Sequence, residues 1–192
     1  FLSPFGDAGY DVEDYYTVAP RYGTNEDLAH LFEEAHKRDM HVILDLVPGH
    51  TAVTHKWFKE SMKAKKNEYT DRYVWTDCIW EEPQGMNCIR GISDRDGSCA
   101  VNFFSHQPAL NYGFYTQERD WQQPQDAPGP QATLEAMKDV MRFWLTMGCD
   151  GFRVDMAGSL VKNDPDSKGT IKLWQNVREF LNAGFPKAAM VS

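Results

Sequence analysis

The run GFRVDM (151–156) carries an arginine and an aspartate two positions apart among apolar residues. In an extended strand, residues i and i+2 share a face, so Arg153 and Asp155 point together into whatever that strand lines. A buried charge is tolerated only when it is paired and hydrogen-bonded, and here each charge brings the other's partner. A carboxylate beside a guanidinium is favoured in its charged form, and a fixed, ionised carboxylate can act as a nucleophile. The plain alternative is an ion pair that only braces the strand.

Two other stretches concentrate similar groups. VILDLVPGHT (42–51) places Asp45 inside an apolar run and His50 just past its end. GYDVEDYY (9–16) gathers Tyr10, Asp11, Glu13, Asp14, Tyr15 and Tyr16. His50 stands apart from His30, His36, His41, His55 and His106 by that position at a strand end. Asp45, His50 and Asp155 are also a donor set of the kind a metal-dependent hydrolase uses. No H-x-H or H-E-x-x-H spacing accompanies them, so no metal is expected there.

The elements that must position these groups alternate. Thr24 and Asn25 are good capping residues, with Asp27 in the first turn of a helix. Leu28, Leu31, Phe32 and Ala35 then recur at helical spacing, and HVILDLV (41–47) follows as a strand buried on both faces. A second helix is predicted from about Thr133 to Met147, with Leu134, Met137, Met141, Trp144 and Leu145 on one side; Gly148 ends it, and GFRVDM is the next strand. A third runs from about Thr170 to Ala183 through Trp174, Val177, Arg178 and Leu181, and AAMVS (188–192) begins another strand. The opening Phe1-Leu2 reads as the tail of an earlier strand. Strand and helix in alternation predict an α/β fold with a parallel sheet. One connection breaks the rhythm: about eighty residues separate Val47 from Thr133, far beyond the usual loop. Rich in Trp, Tyr, Asn, Asp and Gly, this stretch reads as an inserted, irregular subdomain with a few short strands. With no initiating Met and a last strand that stops at Ser192, both ends read as cuts through a larger barrel.

Composition narrows the function classes. The 192 residues are 42% apolar and 25% charged, enough for one domain with a real core. The net charge is -8 and no basic cluster exceeds Lys63, Lys65 and Lys66, which argues against nucleic acid. No apolar run reaches the roughly 18 residues of a membrane span, and FLSPFGDAGY lacks the features of a signal peptide; the compartment stays open. Cys78, Cys88, Cys99 and Cys149 have no C-x-x-C spacing. They read as small buried thiols, with a Cys78–Cys88 bridge in the loop-rich stretch as the alternative.

GYDVEDY, VILDLVPGHT and GFRVD, in that order around a long insert, resemble the α-amylase family of glycoside hydrolases. The resemblance covers essentially the whole chain. It implies a partial (β/α)8 TIM barrel, about strands 2 to 5, with the family's irregular domain B between the third and fourth strands. The parts would be 1–51 (end of strand 2, helix, strand 3), 52–130 (domain B) and 131–192 (helix, strand 4, helix, start of strand 5). Carried over residue by residue, it makes Asp155 the catalytic nucleophile, with Arg153 and His50 holding the sugar. Tyr10 would stack beneath the ring, Asp11 would hydrogen-bond a non-reducing-end hydroxyl, and Asp45 is similar to the family's structural acid beside the arginine. The implied activity is retaining cleavage of α-glucosidic bonds in starch-derived glucans or maltooligosaccharides through a glycosyl-Asp155 intermediate. The family's general-acid glutamate would lie just beyond Ser192, so residues 1–192 alone are expected to be inactive.

The sequence also departs from the family pattern. Gly49 stands where many members have an asparagine that helps bind a structural calcium, so neither calcium nor another cofactor is expected. MAGSLVKN (156–163) lacks the Lys-His pair of many endo-acting members. HQPALNYGF (106–114) is similar to the QPDLN stretch of oligo-1,6-glucosidases, with Ala109 in place of the acid. Two alternatives remain: a transglycosylase of the same family (trehalose, sucrose or glucan-branching type), and a non-catalytic amylase-fold binding protein.

Overall fold

Residues 1–83 and 85–192 are described by a computed structural model. In chain order its helices and strands are α1 (Asn25–His36), β1 (Ile43–Leu46), α2 (Lys56–Ser61), β2 (Cys88–Ile89), β3 (Cys99–Ala100), α3 (Pro128–Thr146), β4 (Gly151–Val154), α4 (Lys168–Gly184) and β5 (Ala189–Val191). β1, β4 and β5 form one parallel sheet in the order β1-β4-β5. The α/β alternation read from the sequence is therefore present.

Each helix is set by local chemistry. Thr24 and Asp27 form a reciprocal capping box at the start of α1. α1 buries Phe32 and Ala35, whereas Leu31, expected in the same stripe, is 53% exposed at its edge. α3 begins five residues earlier than expected, because Pro128 occupies the first turn, where a missing N–H costs no hydrogen bond. It buries Leu134, Met137, Met141, Trp144 and Leu145, the whole predicted side. Trp144, fully buried, donates from Nε1 to the Tyr15 carbonyl at 2.7 Å. The Tyr15 hydroxyl in turn donates to the carbonyls of Val47 and His50 at 2.7 and 3.0 Å. α3 is thereby tied to the turn that follows β1.

The sheet differs from expectation in two respects. Phe1-Leu2 does not enter it; Leu2 makes an isolated antiparallel bridge to Asp14. Nor is β1 buried on both faces. Leu46, Phe152 and Val154 face the core, while Ile43, Asp45 and Arg153 alternate onto an open side. Gly151, at φ +150°, lies against β5: a Cβ there would meet the Ala189 carbonyl oxygen at 2.1 Å.

The stretch between β1 and α3 is irregular, with the two-residue antiparallel pair β2–β3 and isolated bridges. Val74, Ala100, Ala109 and Phe114 make a small core of its own. Phe58, Tyr73, Trp75 and Leu110 join the main core with Leu46 and Trp144. All four cysteines are free thiols, Cys99 and Cys149 buried; the Cys78–Cys88 bridge does not form, and Cys88 Sγ instead accepts from Arg90 at 3.1 Å.

α2 is capped by an imidazole. His55 Nδ1 accepts the Trp57 N–H at 3.0 Å, with the ring packed edge-on against the Trp57 indole. Burial pushes this histidine down to about 4. The fold thus favours neutral His55, so its contribution is complete above the ordinary histidine value of 6.5 and is lost as pH falls from 6.5 toward 4. The gap corresponds to about 3 kcal/mol at most. Chemical denaturation across this window should show that loss, and His55→Asn, which keeps a capping acceptor, should flatten it.

Candidate active site

Asp155 lies one residue past the end of β4, and its N–H donates to the Leu46 carbonyl at 2.8 Å, continuing the ladder. Met156 follows at φ 50°, in the left-handed region, and turns the chain off the strand. On β1 the register sets Asp45 directly beside Arg153. Arg153 Nη1 donates to Asp155 Oδ1 at 2.8 Å and to Asp45 Oδ1 at 2.9 Å. Tyr10 closes the group, its hydroxyl donating to Asp45 Oδ2 at 2.9 Å. That bond raises the tyrosine hydroxyl above its ordinary range, and the two carboxylates raise the guanidinium, Asp45 first.

The cluster sits on the open face, with the side chains of Arg153 and Asp45 each 44% exposed and Asp155 17%. Among the described residues of 1–192 no helix packs over that side of the sheet, so the cluster is less desolvated here than expected. A cleft of about 290 Å³ lined by Phe5, Tyr10, Tyr22 and Asp45 opens beside it. A larger groove, about 780 Å³, lies away from the cluster between α3 and α2.

His50 is 2% exposed. Its Nε2 is 3.0 Å from the Tyr10 carbonyl, which can only accept, so Nε2 carries the proton. Nδ1 then accepts from Asn102 Nδ2 at 3.2 Å. Burial lowers the imidazole's affinity for a second proton, consistent with this neutral tautomer. A sugar hydroxyl at His50 would have to share Nε2–H with Tyr10, so the ring's visible work is to hold the Tyr10 loop against the strand end. Asp11, expected at a sugar hydroxyl, points inward. It is fully buried, and its oxygens accept from Ser3 Oγ (2.7 Å), Gly6 N–H (2.8 Å) and Asp7 N–H (3.2 Å). Its carboxylate shapes the 3–7 turn; Asp7 then accepts from buried Gln107 at 2.7 Å, linking that turn to the long segment.

The family model described as "Alpha amylase, catalytic domain" matches residues 1–187. The chain belongs to the α-amylase family. It is 34% identical to "Trehalose synthase/amylase TreS" of Mycobacterium tuberculosis over 99% of this chain and 31% of the relative. It is 35% identical to an "Oligo-1,6-glucosidase" of Bacillus sp. (strain F5) over 84% of this chain and 30% of the relative. Among solved structures, a trehalulose synthase, MutB, superposes with a TM-score of 0.78 at 26% identity, covering 99% of this chain and 36% of that one. An α-amylase from H. orenii superposes with a TM-score of 0.72 at 30% identity, over 99% and 36%. The chain thus spans about a third of the length of these relatives.

The surroundings of Gly49 bear on the calcium that the family resemblance raises. Gly49 offers no side-chain oxygen, and a Cβ there would meet Asn102 Nδ2 at 2.9 Å. The Asn102 oxygen faces an ammonium instead: Lys162 Nζ donates to it at 3.3 Å and to the Ser159 carbonyl at 2.8 Å. Burial pushes Lys162 down to about 8. Sequence reasoning missed both Asn102 and Lys162, because neither sits at a telling spacing from His50 and only the fold brings them together.

Proposed function

We propose that the protein containing this chain is a retaining glycoside hydrolase that cleaves α-glucosidic bonds of starch-derived glucans or maltooligosaccharides, with Asp155 as nucleophile. The observation that carries this is the bridging of Asp155 and Asp45 by one guanidinium nitrogen at a strand end. Arg153 fixes one oxygen of Asp155 and leaves the other to attack an anomeric carbon. Tyr10 presents its ring beside the same cleft, and His50 braces the Tyr10 loop.

Retention requires a second carboxyl group about 5–5.5 Å away. We place it on the neighbouring strand. Arg153 is in register with Val191, so the position one past Ser192 would stand beside Asp155, at the roughly 4.8 Å spacing of neighbouring strands. A glutamate there would be the family's general acid. We read the three-stranded sheet as barrel strands 3 to 5, with residues 1–51 and 131–192 belonging to the barrel and 52–130 forming domain B. The similarity to a trehalose synthase over nearly the whole chain supports a second reading, glucosyl transfer to another sugar in place of water.

The test is the anomeric form of the first product. The purified full-length protein, given maltotriose and followed by NMR, should release an α-configured sugar first. A β-configured first product, or binding without turnover, overturns the proposal; an isomerised trisaccharide or an elongated oligosaccharide in place of free glucose selects transfer over hydrolysis.

A further inference from the structure

At the other end of the sheet from Asp155, three side chains from separate segments converge. His36 ends α1, His41 leads into β1, and Asp150 immediately precedes β4. His36 Nε2 lies 2.9 Å from Asp150 Oδ2, and His41 Nδ1 lies 3.3 Å from Asp150 Oδ1. One atom from each of the three lies within 4.8 Å of the others. The carboxylate is held in place beforehand, since Oδ2 also accepts the Val42 N–H at 2.7 Å.

We propose that His36, His41 and Asp150 form a Zn²⁺ site that clamps the end of α1 to the entries of β1 and β4. Two imidazoles and one carboxylate suit a borderline ion such as zinc rather than calcium or magnesium, which prefer all-oxygen shells. Ligands each about 2.1 Å from one zinc in a tetrahedral shell lie about 3.4 Å from one another. Closing a separation of up to 4.8 Å to that spacing takes a movement of about 1.4 Å at most, and the His41 side chain, 79% exposed, is free to make it. A water would complete the four-coordinate shell. Five residues of strand separate Asp150 from Asp155, about 16 Å, so the ion would act on the fold and not on the chemistry. The site stands independently of the function proposed above.

The experiment is a Zn²⁺ titration of the tag-free, chelator-treated full-length protein at pH 7.5 by calorimetry, with Ca²⁺ as control and thermal melts alongside. The expected result is one Zn²⁺ per chain at micromolar affinity or tighter, a melting temperature raised by Zn²⁺ and not by Ca²⁺, and at least tenfold weaker binding in His36→Ala and in His41→Ala. Both histidines are exposed, so these variants should fold. Failure of the wild-type protein to take up Zn²⁺, or uptake unchanged in both variants, overturns the proposal.

Discussion

Asp155→Asn in the full-length protein is expected to lower kcat on maltooligosaccharides by about 10⁴-fold or more, with the fold intact. The amide has the shape of the carboxylate but cannot form the glycosyl ester, so the step that splits the reaction in two is lost. A loss of that size is about 5.5 kcal/mol of transition-state stabilisation. Arg153 would keep Asp45 as a charged partner at 2.9 Å, so β4 should stay seated. Steady-state kinetics together with far-UV circular dichroism check both halves of this expectation. Turnover within tenfold of the parent would remove Asp155 from the nucleophile's role.

The second large effect concerns the same strand. Gly151→Ala should cost about 4 kcal/mol, at the level where single substitutions become exceptional. Two causes add. Gly151 has φ +150°, a region that costs a side-chain-bearing residue of order 1–3 kcal/mol. Its added methyl would also sit 2.1 Å from the Ala189 carbonyl oxygen, which is backbone and cannot rotate away. β5 would have to lift off, loosening the Ala189 N–H to Asp150 carbonyl bond of 2.9 Å. For a domain of this size the melting temperature should fall by roughly 10 °C. A shift under about 3 °C, in thermal denaturation of the variant, would show that the two strands are not packed as described.

Much of this arrangement is legible in the amino-acid sequence. The apolar spacing of α3 and α4 and the capping pair Thr24–Asp27 are local signals, and local signals survive into the fold. The meeting of Arg153 with Asp155 follows from the two-residue period of a strand, and that of Arg153 with Asp45 from the family resemblance. The rest depends on contacts between distant residues. Phe1-Leu2 looks apolar enough for a strand, but its hydrogen bonds go to residues 13–17. Asp11 has the residue type of a substrate ligand, and only the turn that wraps it shows where its lone pairs go. The imidazole of His50 is set by Asn102, more than fifty residues away, and Asn102 by Lys162. No periodicity links those three.

The interlocking of the long segment with the sheet has a consequence for protein engineering. Phe58, Tyr73, Trp75 and Leu110 complete the same hydrophobic mass as Leu46 and Trp144. Exchanging this segment alone for a relative's would therefore leave Leu46 and Trp144 without their packing partners. A viable chimera has to carry its matching β1 and α3 partners with it.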